Sequence, residues 1–490
     1  MKSKPVKILV RIIILITAIY AILLIPDSAI SPPISENKTP FAWNADQYWD
    51  ELESEFANAK QLDCDSLNNS INLGLADFNS MIEESRYRPL NSNSSIYHLI
   101  EKQIFKLSVI IGACPERLEE FINLFLFLRT TIKGHSIMWN MKEQSLRDDL
   151  YRLLYGGRTA IEEVILQAPN TNLRTLFIEN EEPSATPSAE MLGVRIHSGD
   201  ILVSRGGAPT SALIARGNDY PGNFSHIAIV HVDEKSHEVS IIESHIEIGV
   251  AIADIEKYFN DKKLRVMILR PRSDLPEIQA DPTLPHKAAS YALDRAKNEH
   301  IAYDFAMDIN DSHKLFCSEV ASDAYAKYGL NLWSSLSHIS SAGVRNWLSN
   351  FGVRNFVTQE PSDLEYDPQV TVVAEWRDYE TLYKDHLDNA VVDIMLESAD
   401  NGEEMDYNIW MLPIARIYKA YSWILNRFNE AGPIPEGMSA TSALKNEWFS
   451  ARHDATVEKL RIEANRFYQL NGYVPPYWEL IKLARRAYNQ

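Results

Sequence analysis

The sequence predicts an α+β protein in which an antiparallel sheet packed on helices is flanked by N- and C-terminal all-helical regions. Three observations carry this reading. Apolar residues recur at spacings of three and four in "DQYWDELESEFANAK", "SSIYHLIEKQIFKLSVII" and "SLRDDLYRLLYGGRTAIEEVIL", the period of helices with one buried face. From Leu192 the pattern changes to short β-branched runs, "DILVSR", "HIAIVHV", "EVSIIES" and "LRVMILRP", which read as strands. Beyond residue 380 the chain returns to aromatic-rich helical segments such as "NIWMLPIARIYKAYSWILNRF".

Taken in order, residues 1–30 carry Lys2, Lys4, Lys7 and Arg11 and then an apolar run to Ile25. A basic flank before an apolar run is the pattern of a signal peptide or signal anchor, with the basic side staying cytoplasmic. The uncharged run is 14 residues long from Ile12, or 18 from Ile8 if Arg11 snorkels. "DSA" and "AIS" are weak cleavage-site candidates, and no cysteine follows that would make a lipoprotein anchor. The expectation is export, to the periplasm or another extracytoplasmic site, with residues 8–25 as an anchor in the inner membrane.

Residues 31–180 read as a helical domain and the polar, proline-bearing stretch at 181–191 as a linker. Residues 192–380 hold the sheet, with "QVTVVAEW" as one more of its strands, and 381–490 form the helical C-terminal region. Pro413, Arg416, Lys419 and Arg427 argue against a second membrane span there. That region reads as an amphipathic packing layer, with a membrane-surface or partner-docking role as the alternative. The formal charge of −19 gives no general attraction for nucleic acid, so none is expected as a partner.

The strands carry chemistry. Successive strand residues point to opposite faces, so His226 shares one face of "HIAIVHV" with Ala228, Val230 and Val232. In "VSIIESHI" one face holds Val239, Ile241, Glu243 and His245. If Val232 pairs with Val239, His226 lies opposite His245 and Glu243 is its diagonal neighbour; a tighter turn would set Glu243 directly opposite. Either way an imidazole gains a carboxylate that fixes its tautomer. A metal site is a weaker reading, because His231 belongs to the other face and His237 to the turn, leaving no zinc-ligand spacing.

Only three cysteines occur, Cys64, Cys114 and Cys317. Cys64 and Cys114 both lie in the helical N-terminal region, where either a bridge or buried thiols would fit. Cys317 begins "CSEVASDAYAKYG", a helix that Gly329 terminates. There it is either a core residue beside Val320, Ala321 and Ala324 or a thiol at the positive end of the helix dipole, which favours the thiolate. Glu319, in the first turn, works modestly against that charge.

The ordered pieces "GDILVSR", "SHIAIV", "IIESH", "AYDF" and "FCSEVASDAY" resemble the circularly permuted NlpC-type papain-like cysteine hydrolases, the YiiX/YebB-like branch, over about residues 192–350. The resemblance implies a permuted papain-like fold with the histidine hairpin ahead of the cysteine helix. It implies Cys317 as nucleophile, His226 as general base and Glu243 as the imidazole-orienting group, with His245 the rival for that last role. Tyr303 in "AYDF" would border the site and help hold an oxyanion, and Asp200 in "GDILV" would be structural. The implied reaction is acyl transfer through a thioester on Cys317, needing neither metal nor organic cofactor. The expected substrate is a peptide or acyl amide, cell-wall peptide (peptidoglycan) included. The alternatives are a lipid acyl hydrolase or acyltransferase, or a silent papain-like binding module whose helical flanks bind a protein partner.

Overall fold

The computed structural model describes residues 4–27, 38–87, 95–168, 173–179, 181–428 and 430–490. The candidate cleavage sites after Asp27 and the polar break at 88–94 lie outside those residues. Six helices come first, α1 Lys4–Leu23, α2 Asp46–Ala59, α3 Cys64–Tyr87, α4 Ser95–Ala113, α5 Leu118–Ser136 and α6 Gln144–Gln167. The strands β1 Leu176–Ile178, β2 Ser188–Met191, β3 Val194–His197 and β4 Ile201–Gly206 follow, then α7 Pro209–Arg216. Next come β5 His226–Val232, β6 Val239–His245, β7 Gly249–Ala253, α8 Ile255–Asn260 and β8 Lys263–Pro271. After α9 Pro276–Ala280, α10 Leu284–Asn298 and α11 Cys317–Ala326, the short β9 Ser337–His338 and β10 Val357–Thr358 flank α12 Ala342–Phe351. The chain closes with α13 Asp363–Tyr366, β11 Val370–Arg377, α14 Tyr379–Asp400, α15 Leu412–Asn426, α16 Ala440–Asn471 and α17 Tyr477–Tyr488.

One seven-stranded sheet, ordered β1-β11-β8-β4-β5-β6-β7, organises the middle of the molecule, and every neighbouring pair in it is antiparallel. The "QVTVVAEW" strand does join it, as β11 beside β8. Two local readings change. Leu176–Ile178, taken as the end of the helical region, is an edge strand on β11, and the stretch read as a linker contains β2, which pairs with β3. Both are short strands whose partners lie far along the chain or in a tight hairpin, so neither shows a run long enough for its period to appear.

The sheet is covered on both faces. Ile227, Ile229 and Ile242 pack against α10 and α11 through Ala288, Ala289, Val320 and Ala321. On the opposite face Ala228, Val230 and Ile241 pack with Met191, Ile196 and Tyr258. The alternation along β5 therefore serves two cores, which explains why the strand reads as nearly continuous apolar sequence.

The N-terminal helices are joined to this sheet through buried charge. Arg158 of α6 gives a fork to Glu365 at 2.7 and 2.9 Å and reaches Glu162 at 3.0 Å. Glu162 also receives Arg265 of β8 at 2.6 Å, and Arg129 of α5 bonds Glu375 of β11 at 2.8 Å. These side chains are almost wholly buried. Ions removed from water in this way hold only while each keeps its partners.

Cys64 and Cys114 form a disulfide with Cα atoms 5.4 Å apart, tying the start of α3 to the end of α4, and Cys317 is the free, buried cysteine. Closing a loop with a sequence separation of 50 removes enough unfolded-state entropy to stabilise by about 4 kcal/mol. Urea unfolding of the double variant Cys64→Ala/Cys114→Ala is expected to show a loss of that order, and an unchanged midpoint would rule the effect out. Among the described residues, no helix is long and apolar enough to cross a membrane.

Candidate active site

The β5–β6 register runs from Val232 opposite Val239 to Ala228 opposite Glu243. Continued, it sets His226 across from His245, and their ring centroids lie 5.6 Å apart. Glu243, the diagonal neighbour, joins them. Its Oε2 lies 2.6 Å from His226 Nε2 and its Oε1 lies 3.0 Å from His245 Nε2. Lys263, at the start of β8, brings its ammonium to 3.9 Å from the same carboxylate. One carboxylate thus serves two imidazoles and a cation, so Glu243 and His245, the two candidates for the orienting role, belong to one cluster.

The environment divides the two histidines. Burial pushes the His226 pKa below its ordinary value, with Lys263 and His245 adding to the effect against the hydrogen bond that His226 makes to Glu243. Burial acts the same way on His245, but there the bond and charge of Glu243 prevail and the pKa is raised. Burial would push Glu243 up, yet its bonds to both histidines hold it far below the ordinary carboxylate range. His226 is therefore the less readily protonated imidazole of the pair. With Nε2 committed to Glu243, its Nδ1 is the ring nitrogen left outside that bond.

Cys317 occupies the first position of α11, and its sulfur lies 3.8 Å from the Ser225 carbonyl. The backbone N–H of Ile227 also acts on it. The thiol therefore meets the two residues on either side of His226. It does so from the sheet face that α11 covers, whereas the alternation of β5 puts the imidazole with Ala228 on the other face. The polar face of the hairpin is not turned squarely to the helix; the two sets converge at the open end of the strands, where Ser225, His226, His245, Tyr303 and Cys317 line one cleft of about 650 Å³.

The thiolate expected from the helix dipole is not favoured here. Burial pushes the Cys317 thiol up to about 12, outweighing the Ile227 and Ser318 groups that favour the anion. Only 4% of the residue is exposed, and in such a site desolvation exceeds a half-charge at a helix end. Glu319 does not oppose the charge as expected, because burial raises its pKa to about 9 while its Oε2 accepts the Phe316 N–H at 2.8 Å. Desolvation and the neighbouring Cys317 push the Tyr303 pKa well above its ordinary value, so this half-buried residue has a hydroxyl donor to offer into the cleft it lines. Asp200 is structural: it holds Arg270 in a fork at 2.7 and 2.8 Å and accepts the His197 N–H.

Two cleft residues escaped the sequence. Lys263 was hidden in a strand whose pairing to β4 had to be known. Glu360 comes from the loop before α13, is buried, and carries a pKa raised well above the carboxylate range by burial and by Asp363. Nothing in "QEPSDLE" marks it, since only the packing of that loop over the cleft removes it from water.

With this geometry in place, comparison with known families gives residues 195–374 as a match to the permuted papain-like amidase enzymes, the YaeF/YiiX, C92 peptidase family. The sheet domain is therefore a permuted papain-like domain of that family. Comparisons of the chain with curated proteins and with solved structures found no match.

Proposed function

We propose that the chain is a thiol hydrolase of amidase or peptidase type, with Cys317 as nucleophile, His226 as general base and Glu243 as the group that orients it. The observation that carries this reading is His226, bonded to a shared carboxylate, in one cleft with a thiol at a helix start. As the thiol turns from the Ser225 carbonyl and attacks the substrate carbonyl, His226 Nδ1 takes its proton. In this reading the Cys317 N–H and the Tyr303 hydroxyl receive the oxyanion. The carbon–nitrogen bond then breaks while His226 protonates the leaving amine, leaving a thioester. Water, losing its proton to His226, releases the acid and restores the thiol.

Cell-wall peptide or another amide outside the cytoplasmic membrane is the substrate we favour. The basic-then-apolar N-terminus and the Cys64–Cys114 bridge, a device of oxidising compartments, support that location. A second reading, lipid acyl hydrolysis or transfer, is favoured by the apolar part of the cleft, where Met307, Leu348, Phe351 and Met438 face the space.

The test is acylation of Cys317 by p-nitrophenyl acetate, followed by intact mass across pH. Because the folded pKa of His226 is depressed, its basic form is present from below pH 6.5 upward. The acylation rate is expected to level off by about pH 7 and to fall about a hundredfold or more in His226→Ala. A rate that climbs steadily above pH 8 toward the thiol's own ionisation, alike in both proteins, would remove His226 as the base. Absence of any adduct on Cys317 would end the hydrolase reading.

A further inference from the structure

Among the described residues, none covers the outer face of α15. Ile414, Ile417, Tyr421 and Ile424 succeed one another at spacings of three, four and three, so they form one apolar stripe, with Trp410 in the turn before the helix and Phe428 in the turn after it, and all six are exposed. Leu412, Ala415 and Ser422 face inward instead, against Ile434 and Met438. Residues such as Trp410 and Ile417, each 63% exposed, are too large and too numerous on one side to be scattered surface apolar groups.

Three further observations say what covers this face. Helix α1 packs beside α15 and exposes its own apolar side chains from Ile8 to Ile22. The two are fastened together, since Tyr20 donates to the Trp410 carbonyl at 3.2 Å and Arg416 pairs with Asp27 at 3.3 Å. In a chain of net charge −19, neither α1 nor residues 409–428 contain a single acidic residue, while the latter carry Arg416, Lys419 and Arg427. Aromatic residues flanking an apolar stripe, with Lys419 and Arg427 on the same segment and the acidic Asp27 and Glu436 set beside Arg416 and Lys419, suit a lipid headgroup boundary. A second copy of the same face would bring like charges together, and a coiled-coil partner would want charged flanks where Tyr418 and Trp423 stand.

We propose that α15, with α1 beside it, seats the protein on an anionic bilayer surface and holds the mouth of the Cys317 cleft at the lipid boundary. The link to the cleft is direct. Lys419 Nζ bonds the Pro435 carbonyl at 2.8 Å and Ser422 accepts the Ile434 N–H at 2.9 Å, and this same segment supplies Pro433, Pro435 and Met438 to the cleft wall. The substrate would then be an amide or acyl compound anchored in the membrane. That second half rests on the thiol chemistry proposed above, whereas the docking does not.

The experiment uses the full chain carrying Ile417→Cys, labelled with an environment-sensitive NBD group; Cys317→Ser removes the other free thiol. Vesicles of phosphatidylcholine and phosphatidylglycerol at seven to three are added, with and without a shallow doxyl quencher in the lipid. The expected result is a blue-shifted, brighter emission that the doxyl lipid quenches by about half or more, weakened at least fivefold in affinity by Trp410→Ser/Ile424→Ser. An emission unchanged by vesicles overturns the proposal. So does an emission already blue-shifted without lipid in a protein of doubled mass, which would make the face a contact between copies. Acetylation of Cys317, measured separately on the chain with its cysteine intact, tells failure of the catalytic reading from failure of docking.

Discussion

Cys317→Ser is expected to abolish acyl-enzyme formation, and His226→Ala to slow it by roughly a hundredfold to ten-thousandfold, the usual contribution of a positioned base. The first change removes the only free thiol. The second leaves the thiol with burial pushing its pKa up to about 12 and no imidazole to receive its proton. Glu243→Gln separates the roles further. It takes the shared negative charge from both histidines, so the raised pKa of His245 should fall and the tautomer of His226 should no longer be fixed. Turnover in Glu243→Gln should drop more than in His245→Ala, which removes one partner of the carboxylate but leaves its bond to His226. Stopped-flow release of p-nitrophenol, with intact mass for the thioester, measures all four variants. Equal rates in wild type and His226→Ala would contradict the assignment.

The largest effect on stability is expected from Arg158→Met. It strips Glu365 of a two-point bond and Glu162 of one of its partners, leaving buried carboxylates under-compensated between α6 and the sheet. Breaking one side of a buried ion network costs about 3–5 kcal/mol. Chemical denaturation followed by near-ultraviolet circular dichroism reads it, because the rings of Tyr155 and Phe224 lie beside that guanidinium. A change under about 1 kcal/mol would show the network to be dispensable. The same network predicts acid sensitivity. Glu375 is held down at about 2 by Arg129 and Arg377 despite burial that would raise it. Its folded pKa lies below the unfolded value near 4.3, so it stabilises above that pH and the contribution is lost as pH falls from about 4.3 toward 2.

How far each feature could be read from sequence follows how local its cause is. The β5–β6 hairpin was legible because side-chain alternation and a short turn leave few registers, and both candidates put His226, Glu243 and His245 on one face. Helix α11 was legible because a periodic run ended at a glycine, and Gly329 has the positive φ of +91° that such an ending needs. The protonation of Cys317 was not. The helix dipole is visible in sequence, but the burial that overrides it comes from loops placed around the cleft only after folding.

The sequence by itself determined the order of the elements, the set of residues able to do proton and acyl transfer, and the permuted family pattern that places hairpin before helix. Each rests on neighbours along the chain or on a pattern of short pieces. The tertiary structure alone decided that Glu243 is shared, that Lys263 and Glu360 stand at the cleft, and that a web of buried arginines fastens the N-terminal helices to the sheet. Those outcomes depend on desolvation and on contacts such as Arg129 with Glu375, 246 residues apart, and neither leaves a local trace in the chain.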